Sequence, residues 1–138
     1  MSDILRFSVP GKPEYVSMIR LAVSSAANTA GFNIEEIDDI KIAVSEACTN
    51  VVCHGQLNEN DVYEVICNIG ENEFFISVED KAGGYDVDEY KKPSIDELKP
   101  GGMGLYIIQA LMDKVDIVSQ VGQGTKIEMI KYLTNVES

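Results

Sequence analysis

Apolar positions change their period several times along this chain. Residues 4–9 alternate, with Ile4, Arg6 and Ser8 against Leu5, Phe7 and Val9, which predicts a first strand. Pro10, Gly11 and Pro13 break it. From 13 or 14 to 30 the period turns helical, with Val16, Ile19, Val23 and Ala26 or Ala27 forming one apolar stripe. Gly31 follows where a left-handed cap belongs. Asn33, with Glu36 three residues on, reads as a capping box that starts a second helix. This helix runs to about His54 and stops at Gly55. Its stretch 40–55 contains no Pro or internal Gly. Ile37, Ile40, Val44, Ala47, Cys48 and Val51 fall on one buried stripe, and Asp39, Ala43, Glu46 and Asn50 fall on the opposite side.

After a polar loop over 56–61, residues 62–69 and 73–79 read as two strands of a hairpin joined by Gly70, Glu71 and Asn72. Phe74, Ile76 and Val78 alternate with Phe75, Ser77 and Glu79, and the second strand runs straight into Asp80. Residues 86–100 carry little regular pattern, and a loop of that length is often a lid or a binding loop. Gly101, Gly102, Met103 and Gly104 then feed a helix over 105–112. Two strands close the chain, at 115–120 and 126–133, with Gly122, Gln123 and Gly124 as the hairpin turn between them. The order is β-α-α-β-β-loop-α-β-β, an α+β arrangement. The parallel alternation of a Rossmann domain is absent, as is the Gly-x-x-x-x-Gly-Lys-Ser/Thr phosphate loop.

A length of 138 residues suits one domain, 1–138, with a substantial core. No apolar run approaches the ~20 residues of a membrane span. The first residues include Asp3 and Arg6 and lack the apolar run of a signal peptide, so a cytoplasmic protein is expected. Eleven basic and 23 acidic residues leave a net charge of −12. That argues against nucleic acid or an anionic membrane as the main partner and permits a basic protein. A bound nucleotide would need a local cation or a ring of backbone amides. Cys48, Cys53, Cys67 and His54 match neither a disulfide framework nor a zinc pattern, so the cysteines are expected as small core thiols.

Three stretches carry candidate chemistry. Glu46 and Asn50 lie four apart, stacked on one helix face. A carboxylate base beside an amide oxygen suits a magnesium–nucleotide site, although the wet face of an amphipathic helix gives the same pattern. Asp80, followed by Gly83 and Gly84, combines an acceptor for an exocyclic amine with backbone that a flat ligand can approach; an acidic turn gives that too. The glycines at 101, 102 and 104 lead into a helix N-terminus, which forms either a phosphate cradle or a flexible joint. Thr125, at a strand start, can reach an adjacent pocket, and Arg20 either faces solvent or meets a partner.

These three stretches, in this order, resemble the signature boxes of the GHKL ATPases, the superfamily of gyrase, MutL and the sensor histidine kinases. Within it the chain is similar to the small serine-protein kinase anti-sigma factors of bacterial stress and sporulation control. The resemblance rests on SEACTN at 45–50 followed by His54, on GGMGLYII at 101–108, on LMDKVDI at 111–117 and on the VPGKPEYVSMIRL opening at 9–21. It implies a two-layer α/β sandwich, its mostly antiparallel sheet covered by helices on one face. The implied activity is phosphorylation of a serine on a STAS-type anti-anti-sigma antagonist with ATP and Mg²⁺, together with sequestration of a sigma factor by a homodimer. By resemblance, Glu46 is the general base and Asn50 the Mg²⁺ ligand, and Asp80 binds the adenine amine. Gly84 shapes the adenine pocket, Gly102 and Gly104 hinge the lid and present amides to phosphate, and Thr125 lies at the pocket rim. Ala82 stands where the Asp-x-Gly-x-Gly pattern has its first Gly. The alternative is a nucleotide-gated sigma-binding module that transfers little phosphate.

Overall fold

The computed structural model describes residues 2–54, 60–81, 103–120 and 124–133. Five strands form one antiparallel sheet: β1 (Asp3–Pro10), β2 (Val62–Ile69), β3 (Glu73–Asp80), β4 (Lys114–Gln120) and β5 (Gly124–Tyr132). Their spatial order is β1-β2-β3-β5-β4. Three helices, α1 (Val16–Ala30), α2 (Ile34–Thr49) and α3 (Gly104–Leu111), cover one face of it. The α+β order read from the sequence, and the two-layer sandwich that the resemblance implies, are therefore the fold. Phe74, Ile76 and Val78 face the helices, level with Val65 and Cys67 on β2 and with Ile127 and Met129 on β5, all fully buried.

The helices start and stop where local chemistry directs. A turn of 3-10 helix at Pro13–Tyr15 leads into α1, and Gly31 ends α1 at φ 106°, a conformation that glycine adopts without Cβ strain. The Asn33 side chain accepts from the Glu36 amide at 2.8 Å while the Glu36 carboxylate accepts from the Asn33 amide at 2.9 Å, so the capping box is complete. An Asn33→Ala variant is expected to lose about 1 kcal/mol of stability. Urea unfolding would read this as a lower midpoint at an unchanged m value.

One expectation about α2 needs correction. Ala43 and Asn50, assigned to the side opposite the core, are buried. The cause is α3, which packs along that side. Gly104, at its start, lies against Glu46. At its end, the Lys131 ammonium donates to the Leu111 carbonyl at 2.7 Å and lies 3.8 Å from the Asp39 carboxylate. The two helices are therefore antiparallel, and the Asp39–Ala43–Glu46–Asn50 side is an interface rather than a wet face. A second correction concerns the cysteines. Cys48 and Cys67 are core thiols, and burial pushes each up to about 12, so they stay protonated and inert. Cys53 is exposed instead. It belongs to a π-helical turn, Asn50–His54, that succeeds α2 and buries both Val51 and Val52.

Candidate functional site

The C-terminal part of α2 meets the start of α3, and the end of β3 meets the start of β5, which pairs in turn with the end of β4. The π turn packs against β3. π turns inside helices occur frequently at functional sites, and this one begins at Asn50. The Asn50 side chain is buried there, and its backbone amide donates to the carbonyls of Ala47 and Glu46. Glu46, one turn earlier, is only partly buried, so its carboxylate can be reached from outside.

Gly104 brings the second stretch to the first. A Cβ at this position would stand 3.0 Å from Glu46 Oε1. The glycine therefore lets the N-terminus of α3 approach the carboxylate more closely than any other residue would. The Met103 side chain makes no capping hydrogen bond there, in contrast to the Asn33 cap of α2. Helix N-termini attract anions, so phosphate oxygens suit this end. They would also come close to Glu46, and a cation is then needed between the two.

Asp80 and Thr125 supply the other half. They are paired directly across β3 and β5, and both are buried. Gly124 precedes Thr125 at φ 93°, and a Cβ there would collide with the Asp80 carbonyl oxygen and stand 2.7 Å from the Lys81 Cα. Backbone contact at this glycine fixes β5 against the end of β3. The Thr125 hydroxyl lies 2.7 Å from the Ser119 hydroxyl on β4, a residue that sequence reasoning did not single out. Its only signal was its place opposite Thr125 in the final hairpin.

The structure thus brings Glu46, Asn50 and Gly104 together, and Asp80 with Thr125. Gly84 and Gly102 lie outside the described residues. Among the described residues no three His, Cys, Asp or Glu side chains gather as a metal site. Mg²⁺ needs no such cage, because it commonly takes one or two protein oxygens and completes its shell with phosphates and water. A carboxylate and an amide oxygen beside a helix N-terminus fit Mg²⁺ carried on a triphosphate.

The histidine kinase-like ATPase domain family model matches residues 9–131. The serine-protein kinase RsbW of Bacillus licheniformis is 37% identical over 96% of this chain and 87% of its own length. Those of Bacillus subtilis and Staphylococcus aureus are each 38% identical, covering 96% and 95% of this chain respectively and 87% of their own lengths. Among solved structures, the RsbU and RsbW domains of a Mycobacterium tuberculosis protein superpose with a TM-score of 0.71 at 19% identity, over 95% of this chain and 32% of that one. The SiaB–SiaC complex of Pseudomonas aeruginosa gives a TM-score of 0.63 at 11% identity, over 91% of this chain and 88% of that one. At these identities the two structures speak to the fold alone.

Proposed function

This chain belongs to the histidine kinase-like ATPase family, and from that membership we propose that it is an ATP-dependent protein-serine kinase and anti-sigma factor. It transfers the γ-phosphoryl of ATP to a serine of a STAS-type anti-anti-sigma antagonist and, in its other state, sequesters a sigma factor. In this reading it works in the cytoplasm as a homodimer, in control of stress response or sporulation, with 1–138 acting as one domain. The observation that carries the reading is the seating of α3's N-terminus on the Glu46 carboxylate. A base thereby lies beside the place where phosphate oxygens bind.

Each residue then has a task. Glu46 accepts the proton of the acceptor serine as its oxygen attacks the γ-phosphorus. Asn50 offers its amide oxygen to Mg²⁺, and Gly104, with Gly102, presents backbone amides to the phosphates. Asp80 accepts a hydrogen from the exocyclic amine of adenine, Gly84 shapes that pocket, and Thr125 lines its rim. When bound, Mg²⁺ neutralises phosphate charge next to Glu46. Phosphoryl transfer asks little else of a protein than positioning and charge neutralisation.

The partner is proposed to dock along α1 and α2. Two adjoining grooves run there, of about 310 Å³ and 480 Å³, and both are lined by Arg20 and Ser45. The larger reaches Glu46 and carries the exposed side chains of Leu21 and Ile42. A seryl hydroxyl delivered along it arrives at the base. Charge composition favours a partner with basic character overall, while Arg20 and Lys41 supply local cations for acidic groups.

Asn50→Ala tests the metal assignment. The variant is expected to bind ATP about tenfold more weakly in saturating Mg²⁺ and nearly as well as the parent in EDTA. Calorimetric titration in the two buffers reads the difference, and an undiminished Mg²⁺ effect would remove Asn50 from the metal role. The alternative, a nucleotide-gated binder, has no need of a carboxylate beside the phosphate end, which is why the kinase reading is preferred.

A further inference from the structure

We propose that Lys131 is a positioning residue for phosphoryl transfer: it sets how far α3 slides along α2, and so the gap between the α3 N-terminus and Glu46. This rests on reading Glu46 as the base. Lys131 lies on β5 opposite the buried Phe74, on the helix-covered face and about 20 Å along the strand from Thr125. Its side chain is only 13% exposed. The ammonium donates at 2.7 Å to the Leu111 carbonyl, one of the acceptors that a helix leaves unpaired at its C-terminus. It also stands 3.8 Å from Asp39 Oδ2 on α2. One strand residue thereby ties the end of α3 to the first half of α2.

The spacing makes that tie set the register of the two helices. Leu111 lies seven residues after Gly104, and Asp39 lies seven residues before Glu46. The helices are antiparallel, so Gly104 meets Glu46 at one end, and Leu111 meets Asp39 through Lys131 at the other. Both spans are about 10 Å of helix, so the two contacts match across one interface. Two more bonds hold the exit from α3 on β5: the Asp113 amide donates to the Ile130 carbonyl at 2.9 Å, and the Tyr132 amide donates to the Asp113 carboxylate at 2.7 Å. Of these three ties, only Lys131 also reaches α2. α3 is a rod of eight residues, so a shift at Leu111 is carried to Gly104. The fit there is close, because a Cβ on Gly104 would stand 3.0 Å from Glu46 Oε1. A misplacement of about 1 Å from a remote substitution can cost about a hundredfold in rate. Lys131 touches no reacting atom and acts through α3.

The test is single-turnover transfer to the antagonist at saturating ATP, with calorimetric ATP binding and melting curves, for the parent, Lys131→Met, Lys131→Arg, Asp39→Asn and Asn33→Ala. Lys131→Met keeps the aliphatic stem and loses the ammonium, and its transfer rate is expected to fall about tenfold to a hundredfold. ATP affinity should fall by less than about threefold, because the phosphates move with the α3 amides that hold them. Lys131→Arg, which keeps a cationic donor, is expected to restore most of the rate. Asp39→Asn changes a carboxylate that is 40% exposed and should lose about threefold to tenfold in rate; it decides the matter if Lys131→Met does not fold. Asn33→Ala lowers stability at an exposed cap and should leave the rate unchanged. Parent-rate transfer in Lys131→Met, or in Asp39→Asn where Lys131→Met does not fold, would overturn the proposal and leave Glu46 as the base. So would a loss in Asn33→Ala as large as in Lys131→Met. No transfer by a parent that binds ATP would remove the Glu46 reading, and the Lys131 proposal with it.

Discussion

Glu46→Gln is expected to cut phosphoryl transfer to the antagonist serine by about 10²–10⁴-fold, the usual range for loss of a general base. ATP affinity should change by less than about threefold. The substitution keeps the side chain's shape and its packing beneath Gly104, so α3 stays seated and the phosphate end of the site stays formed. What is lost is the ability to take a proton. Removing a negative charge beside the phosphates can only help nucleotide binding, so a variant that binds ATP well and transfers nothing isolates the chemical step. Single-turnover transfer to the antagonist, run beside calorimetric ATP binding, separates the two. Transfer at the parent's rate would assign the base role elsewhere.

The second large effect is on Gly124. Gly124→Ala is expected to cost about 2–5 kcal/mol, combining a left-handed backbone with overpacking. The added methyl meets the backbone of Asp80 and Lys81 on the neighbouring strand, where no side-chain rotation relieves it. The strands must separate at the pair Asp80–Thr125, so ATP affinity should fall more than tenfold along with stability. Gly31→Ala is the control. Gly31 shares the positive φ, at 106°, but its Cβ would find only the Leu133 methyl groups at 3.9 Å. Strain alone should therefore cost about 1–2 kcal/mol there. Thermal melts of the two variants should differ by about 5 °C or more, since 1 kcal/mol moves Tm by several degrees in a chain of this size. Equal losses would mean that the contact with Asp80 is not made.

These two glycines also illustrate what was legible in the sequence. Gly31 could be read, because a helix stop is a local event whose signal lies next to it. Gly124 was read only as a hairpin residue. Its close approach to Asp80 depends on β5 lying beside β3 rather than β2, and no local pattern states that. Strands with clean alternation, such as 62–69, were located to the residue, and the capping box at Asn33 and Glu36 was found because both partners lie within one turn. Asn50 was singled out on a side thought to be wet, because the helix that covers it comes more than fifty residues later. The π turn and the exposure of Cys53 were missed for a related reason: the sequence there still has helical spacing, and packing against β3 decides otherwise. Ser119 was invisible because a serine in an exposed-looking strand has no meaning until its partner across the hairpin is known.

In the proposed mechanism a carboxylate held at the α3 N-terminus makes this ATPase-family domain a serine kinase. The most direct measurement incubates the purified chain with Mg-ATP and a STAS-type antagonist encoded beside it, then reads the antagonist's intact mass and maps the modified residue. One added phosphate is expected, on a serine, and none when Glu46→Ala replaces the parent. ATP binding with no phosphate on an antagonist that forms a complex with the chain would contradict this mechanism, and would leave a nucleotide-gated binder in its place.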